Sequence, residues 1–337
     1  MTREMRHSMR FPKPPAVAGF GSVAGKKESE GPLAAGFDLT SRDTHFGEES
    51  WEKAECKMQK LALQTALGHA GMETGDLSLV FSGDLLNQCI SSFFCLRDTG
   101  IPALGLYGAC STMAEGLILA AMSVSGGFVR SAAAITSSHF AASERQYRFP
   151  LGYGGQRPPT AQWTVTGAGC VVLRQGEGSV FVRAATVGSI TDPGVTDVGN
   201  MGAAMAPAAV HTLQTHFLEL GRTPEDYDLI VTGDLGAVGA KIVAEEMEKA
   251  GLPMGRRYSD CGLLIFDRKR QDVHAGGSGC GCSALVLCGH LLRRMQDKKL
   301  RNLLFCGTGA LFSPVSSGQG ESIPGVCHAV WLSTERE

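Results

Sequence analysis

The sequence has little charge and no excess of either sign. Charged residues make up 19% of its 337 residues, against about 25% in an average soluble domain. Lys and Arg number 31 and Asp and Glu 33, so the net charge is −2. A disordered chain would carry more charge and fewer apolar residues than the 43% found here. The near-neutral balance also excludes a strongly basic nucleic-acid binder.

Long apolar segments and metal-binding pairs are missing as well. The longest weakly polar stretch, 114–128, is interrupted by Glu115 and by the pair Gly126 and Gly127, and falls short of the roughly 20 apolar residues of a membrane span. Residues 1–10 lack the apolar core of a secretory signal. The closest cysteine pair, Cys280 and Cys282, has no CxxC or HxxxH partner. We therefore expect an intracellular chain with no metal site and no cofactor.

Cysteine and glycine are abundant. The 11 cysteines are an odd number scattered through apolar segments, which predicts reduced thiols inside a cell rather than a disulfide framework. The 44 glycines are nearly double the average share of about 7%. This composition indicates closely packed elements and many tight turns.

Strand and helix patterns alternate along the chain. Residues 48–70 have the apolar periodicity of a helix, and short buried strands are predicted at 77–82 and 131–136. A second series, after residue 188, ends in a helix over 281–298 and a closing strand. The alternation predicts an α/β fold with buried, largely parallel sheets. Two similar series meeting near residue 185 predict an internal duplication, with halves 1–185 and 186–337.

The segment GLYGACSTMAEG (105–116) carries the clearest chemical signal. A short strand enters a tight turn at Cys110, and an apolar helix over 111–125 follows at once. Free N–H groups at a helix N-terminus favour bound anions and lower the pKa of a thiol. The alternative is that Cys110 is a small buried hydrophobic residue, as most free cysteines are.

The step from strand through GACS to helix resembles the nucleophile turn of the thiolase superfamily, above all its ketoacyl synthase III branch. Residues 166–169 resemble the DGAGA turn of that family, with Thr166 replacing the acid, and 307–310 resemble its late glycine-rich loop. The resemblance implies a duplicated α-β-α-β-α layered fold, with two similar halves that contain buried mixed sheets. It also implies a homodimer.

Condensing enzymes of this superfamily place a His and an Asn, or two His, around the nucleophile. The first position falls here on Gly233, and the second on Gly277 or Ser278. His274 lies three or four residues upstream and is a poor substitute. The resemblance therefore implies a protein that is not an enzyme, in which two glycines leave extra room beside Cys110. A cavity of that kind suits a compact anionic ligand.

YGACSTMAEG and the segment 137–164 are similar to a stage V sporulation protein family of spore-forming Firmicutes. That similarity implies a non-catalytic component of a transport complex, which binds dipicolinic acid, an aromatic dicarboxylate, either free or with Ca²⁺. The complex takes dipicolinate into the developing spore and releases it at germination. The implied location is the forespore and spore, peripheral on the spore inner membrane. The implied partners are membrane-embedded proteins of the same complex.

The candidate ligand-binding residues surround the predicted turn and the ends of neighbouring strands. They are Cys110, Ser111, Thr112, His139, Gly233, Gly277, Ser278 and Thr308. Arg145, Arg148 and Arg157 are further candidate donors, and Phe140 or Trp163 is a candidate for stacking on the ligand ring. The alternatives stay open: His139 bonding a loop carbonyl, Arg145 and Arg148 in solvent or at a dimer contact, and Trp163 as core packing.

Other interpretations of these residues remain open. Cys110 could serve a condensing enzyme or acyltransferase with His139 or His274 as the base, or the protein could be a scaffold with a sealed pocket. Asp192 and Asp197 are a weak signal for calcium. Basic clusters could hold the chain against an anionic membrane, or be solvated surface. They are 256–257, 268–270, 293–294, Lys298, Lys299 and Arg301.

Overall fold

The computed structural model describes residues 6–147 and 156–336. Within them we number fourteen strands and ten α-helices. The strands are β1 (Ser8–Arg10), β2 (Ala16–Ala24), β3 (Leu39–Thr40), β4 (Leu79–Gly83), β5 (Ala103–Gly105), β6 (Ser131–Ser138), β7 (Trp163–Thr164), β8 (Gly167–Arg174), β9 (Phe181–Thr186), β10 (Leu229–Thr232), β11 (Tyr258–Asp260), β12 (Gly277–Ser278), β13 (Asn302–Ala310) and β14 (Gly325–Ser333). The helices are α1 (Trp51–Ala70), α2 (Ile90–Leu96), α3 (Thr112–Ser125), α4 (Phe140–Tyr147), α5 (Met201–Leu220), α6 (Gly236–Lys249), α7 (Cys261–Leu264), α8 (Cys280–Val286), α9 (Leu292–Gln296) and α10 (Pro314–Gly318).

The main sheet repeats one topology twice. Its strands follow the order β11-β10-β13-β14-β9-β2-β8-β6-β4-β5. Read from the outer edge of the sheet to its centre, each half contains its third, second, fourth, fifth and first strand in chain order. The parallel and antiparallel pairings also correspond. The two sets meet where β2 pairs with β9 at Ala16 and Phe181. This repeat is the duplication that the resemblance implied, while the division at residue 185 stays a prediction.

The sheets are mixed, as the resemblance implied, so the expectation of largely parallel sheets was wrong. In the first half β4 pairs in parallel with β5 and β6, whereas β8 is antiparallel to both β6 and β2. After β6 the chain reverses direction and β8 pairs directly with β6, and β14 pairs with β13 in the same way. The two strands of each pair are therefore antiparallel.

The helices complete five layers. α1 packs on the outer face of the first half, against β2 and β8, and α5 packs on β13 and β14 of the second half. α3 lies between the halves, where it contacts β6, β13 and β14, and α8 contacts β6 and β8 beside it. Because α3 is covered on both sides, its Met113 and Leu117 are fully buried. The Cys110 turn is therefore held at the centre of the molecule.

Capping residues in the sequence mark both ends of α1. α1 begins after Ser50, whose side chain accepts the N–H of Lys53, and ends at Gly71, which has a left-handed φ of 63°.

α4 was missed because its residues were interpreted as part of a polar loop. It is a helix whose buried face consists of Ala142, Ser143 and Glu144. None of the described helices combines the length and apolar character needed to cross a bilayer.

Candidate functional site

Cys110 lies in a single helical turn, Ala109–Ser111, that leads directly into α3. Ala109 has a φ of 51°, in the left-handed region that is uncommon for alanine. Gly108 precedes it, and a Cβ there would lie 2.3 Å from a carboxylate oxygen of Glu115. The tight turn leaves Cys110 8% exposed. Its remaining surface faces a cavity.

The cavity has a volume of about 630 Å³ and aromatic walls. Tyr147 packs against Phe312 with ring centroids 5.6 Å apart. The hydroxyls of Tyr107 and Tyr147 are 2.7 Å apart, and that of Tyr147 donates to the carbonyl of Leu85 at 2.6 Å. We call this space the Cys110 cavity. Its aromatic walls were not predicted, because they come from the turn before Cys110, the end of α4 and the segment after β13.

A buried carboxylate, Asp234, lies beside the thiol and was missed by the sequence analysis. Its Oδ2 accepts hydrogen bonds from the Ser278 hydroxyl at 3.2 Å and the Gly279 N–H at 2.9 Å. Its Oδ1 accepts the Thr308 hydroxyl at 2.8 Å, and the Cys110 thiol also donates to the carboxylate. Burial raises the pKa of Asp234, and these hydrogen bonds oppose the rise. The available signal was an acid directly after the apolar strand β10.

The thiol of Cys110 has a raised pKa, so the expectation that the helix N-terminus lowers it was wrong. Burial is the largest cause, and the neighbouring Asp234 is the next. The N–H of Gly279 acts in the opposite direction. A thiolate here would lose its hydration and face a carboxylate, and these two costs outweigh the partial charge of the helix end.

The expected room beside Gly233 and Gly277 is not present. A Cβ on Gly233 would lie 3.0 Å from the backbone nitrogen of Thr308, and one on Gly277 would lie 2.8 Å from Ile265 Cγ2. Neither glycine is part of the cavity lining, which does include Ser278. The two glycines permit close packing, and the cavity opens elsewhere, between α4 and the segment after β13.

The predicted ligand-binding residues fall into several places. Cys110 and Ser278 line the Cys110 cavity. Thr308 is not part of the lining, and its hydroxyl donates to Asp234. The hydroxyls of Ser111 and Thr112 donate to the carbonyls of Gly108 and Ala109, at 2.7 and 2.6 Å, so they close the turn instead of facing the cavity. The binding roles of these residues stay predictions.

His139 does not line the Cys110 cavity. Its Nε2 donates to the carbonyl of Thr44 at 2.8 Å, as the alternative interpretation predicted. His139 lines a separate cavity. The ring of Phe140 stacks on that of Trp163 at 3.8 Å, beside the same cavity. The polar loop was expected to converge on Cys110. Instead His139 and Phe140, where α4 begins, and Trp163 on β7 lie at this second cavity.

The other polar candidates are engaged away from Cys110. Arg145 pairs with Glu52, and Arg157 pairs with Asp272 at 3.0 Å. His274 donates from Nδ1 to the carbonyl of Pro158 at 2.8 Å. Arg148 lies outside the described residues. The part of the chain that the structure describes contains no group of three or more His, Cys, Asp or Glu side chains placed to hold a metal ion.

Comparison with known protein families identifies the family of this chain. The family model of stage V sporulation protein AD (SpoVAD) matches residues 5–333. The chain belongs to the stage V sporulation protein AD family. The stage V sporulation protein AD of Bacillus subtilis (strain 168) is 45% identical over 320 residues, which covers 95% of this chain and 94% of that protein. The SpoVAD family places the chain among sporulation proteins.

Solved structures show that this SpoVAD-family chain has a thiolase-like fold. The 3-oxoacyl-[acyl-carrier-protein] synthase III of Aquifex aeolicus VF5 matches with a TM-score of 0.58 and 13% identity, over 95% of this chain and 99% of that one. A cerulenin-bound OleA of Xanthomonas campestris matches with a TM-score of 0.62 and 13% identity, over 96% and 98%. These matches confirm the layered α/β fold that the GACS turn implied.

Proposed function

We propose that this SpoVAD-family protein is a non-catalytic, dipicolinate-binding component of a sporulation transport complex. It acts in the uptake of dipicolinate into the spore and in its release at germination. The observation that carries the proposal is the position of Cys110, hydrogen-bonded to the buried Asp234, in the lining of an aromatic-walled cavity. The pair gives the cavity a neutral thiol surface, which supports binding rather than nucleophilic attack.

The Cys110 cavity suits a flat aromatic ligand with polar ends. Its volume lies within the range of about 300–1,000 Å³ typical of small-molecule sites. Tyr107, Tyr147 and Phe312 provide aromatic surface for a pyridine ring. The Ser278 hydroxyl, which donates to Asp234, can rotate to donate to a ligand carboxylate instead. Glu144, on the same wall, supplies an oxygen ligand for the calcium ion of a chelate. We therefore propose that the cavity accepts dipicolinate with Ca²⁺ as well as the free dianion.

The alternative, a condensing enzyme that uses Cys110, needs a thiolate and a nearby base. The raised pKa of Cys110 and the carboxylate beside it both disfavour the thiolate. His139 and His274, the two bases that the alternative required, each donate a hydrogen bond to a backbone carbonyl outside this cavity. These contacts support binding over acyl transfer.

Calorimetric titration of the whole chain with dipicolinate, with and without calcium, tests the proposal. We expect saturable binding, together with an unchanged intact mass after incubation with acetyl-coenzyme A or another acyl thioester. Absence of binding in both buffers would reject the dipicolinate role. An acyl adduct on Cys110 that turns over would establish the enzyme instead.

We further propose that the protein is held at the spore inner membrane by membrane-embedded proteins of the same complex and by a basic surface. Five cations surround one surface depression of about 380 Å³: Arg256, Arg294, Lys298, Lys299 and Arg301. The other predicted clusters are dispersed, since Arg293 pairs with Asp38 and Arg268 donates to the carbonyl of His274. Each cation near an anionic bilayer contributes about 1 kcal/mol.

Reversing charge in this basic surface should weaken binding to anionic vesicles. We expect Arg294→Glu combined with Lys299→Glu to reduce binding to phosphatidylglycerol vesicles at least about tenfold in sedimentation assays. Lys241→Glu with Lys249→Glu makes the same charge change on α6 and should have little effect. Equal losses in both double variants would show that only net charge matters, and would contradict a defined membrane-facing surface.

We also propose a homodimer, formed through the edge strand β5. This strand ends the sheet, and Leu104 on it is 54% exposed. Phe93 and Phe94 of α2 are also exposed, and the ring of Phe93 lies against Gly105. An apolar, unpaired edge of this kind pairs readily with a second strand. Sedimentation equilibrium of the whole chain should give the mass of a dimer, and a monomer at all concentrations would contradict it.

A further inference from the structure

A second cavity, of about 440 Å³, lies at the start of α4 and shares no lining residue with the Cys110 cavity. Its walls combine the 26–30 segment with three aromatic side chains, Trp51, Phe140 and Trp163. We call it the His139 cavity. The proposed dipicolinate function makes no use of it.

Two lining residues of this cavity each have a buried polar atom with no hydrogen-bond partner among the described residues: Glu28 Oε2 and His139 Nδ1. Glu28 is 1% exposed and His139 is 2% exposed. An unpaired polar atom in the interior is costly, so such atoms commonly mark places where a ligand supplies the missing partner.

Both side chains are held in place by their other polar atoms. Glu28 Oε1 accepts the N–H of Thr166 at 3.0 Å, and His139 Nε2 donates to the carbonyl of Thr44. The hydroxyl oxygen of Thr166 also accepts the N–H of Phe140 at 3.0 Å. Thr166 therefore ties the Glu28 carboxyl to the residue that follows His139. The two unpaired atoms belong to one rigid arrangement.

The polarity of the unpaired atoms defines the missing group. Because Nε2 of His139 donates to a carbonyl, and burial lowers the pKa of the ring, Nδ1 is a hydrogen-bond acceptor. Burial raises the pKa of Glu28 to about 7, so its carboxyl gains strongly from a cationic neighbour. A primary ammonium offers several N–H donors and a positive charge, and aromatic walls favour such a group.

The mouth of the cavity carries two cations, Lys26 and Lys27, and one exposed acid, Glu30. Lys26 is exposed there, and Lys27 Nζ lies 3.9 Å from the centre of the Trp163 ring. These cations would repel a simple amine but attract a carboxylate on the same ligand. A molecule with both groups satisfies the inner acceptors and the outer cations together.

We propose that the His139 cavity, with its three aromatic side chains, binds a free aromatic amino acid, with its ammonium group on Glu28 Oε2 and His139 Nδ1 and its carboxylate towards Lys26 and Lys27. This site is distinct from the proposed dipicolinate site. Trp51 and Trp163 line the cavity, so binding should change tryptophan fluorescence.

The test is a fluorescence titration of the whole chain with three probes of similar shape: L-phenylalanine, phenethylamine and 3-phenylpropionate. We expect saturable binding of L-phenylalanine, and binding at least about tenfold weaker for the two probes that lack one charged group. Equal binding of all three probes, or no saturation with L-phenylalanine, would overturn the proposal.

Two variants locate the site. Glu28→Gln keeps an oxygen for the Thr166 N–H and replaces Oε2 with an NH₂ group. His139→Gln keeps a donor for the Thr44 carbonyl and has no acceptor at the ring position of Nδ1. Each should weaken L-phenylalanine binding at least about tenfold, with a melting temperature close to that of the wild type. Glu248→Gln removes an exposed charge on α6, outside the lining of this cavity, and should have little effect. Unchanged affinity in both glutamine variants at residues 28 and 139 would overturn the site.

Discussion

Cys110→Phe should weaken dipicolinate binding by roughly a hundredfold, which corresponds to about 2.8 kcal/mol. Cys110 packs with Leu85, Cys280 and Tyr147, so the protein leaves no room for a larger side chain except in the cavity. The phenyl ring would occupy the volume that we assign to the ligand. Calorimetric titration of the variant with dipicolinate measures the loss.

Two further variants make this result interpretable. Cys110→Ala removes the thiol without filling the cavity and should keep dipicolinate affinity within about threefold, since less than 1 kcal/mol is at stake. Cys56→Phe adds the same ring at a half-buried cysteine on α1 and should leave binding unchanged. If Cys110→Ala lost binding as completely as Cys110→Phe, the thiol itself would be required, and steric occupation of the cavity would be the wrong explanation.

Asp234→Ala should lower the free energy of unfolding by about 3 kcal/mol, because it leaves buried donors unpaired. The hydroxyls of Ser278 and Thr308 can rotate towards other acceptors, but the Gly279 N–H is fixed. Urea denaturation followed by circular dichroism measures the change. Asp192→Ala removes an exposed carboxylate with two hydrogen bonds and should cost less than about 1 kcal/mol. Equal losses in the two variants would contradict the central role of Asp234.

The pH dependence of Asp234→Asn checks the same carboxylate. The pKa of Asp234 is raised in the folded state, so its protonated form is favoured there. Its contribution to stability is therefore complete below the unfolded pKa of about 3.9 and is lost as the pH rises through the raised value. The asparagine variant, which cannot ionise, should gain stability relative to the wild type as the pH increases. The opposite trend would show that Asp234 is stabilised as a carboxylate.

The sequence predicted the local parts of the site and missed the parts assembled over long distances. The Cys110 turn was recognisable because a strand, a tight turn and a helix follow one another directly along the chain, over residues 103–125. Asp234 follows β10, and Thr308 lies on β13, which pairs with β10. Ser278 lies on β12, which pairs with β7 in the second sheet. Pairings between distant strands therefore bring the three residues together. No short pattern encodes these pairings.

For His139 the sequence analysis predicted the wrong location. It follows β6 and was therefore expected to point towards Cys110 with Phe140 and the arginines. Phe140 begins α4, however, and α4 sends Tyr147 to the Cys110 cavity while Phe140 lies at the other one. One helix of eight residues separates the two cavities, and its presence was not predicted. The lining of both cavities depends on that helix.

The most direct test is protection of Cys110 from alkylation by dipicolinate. Iodoacetamide labelling followed by peptide mass spectrometry measures the rate at Cys110 and, as an internal control, at half-buried Cys56. With dipicolinate well above its Kd, we expect labelling of Cys110 to slow at least about tenfold while that of Cys56 stays the same. If calorimetry shows saturation and Cys110 is still labelled at its original rate, the ligand binds elsewhere, and the Cys110 cavity is not the dipicolinate site.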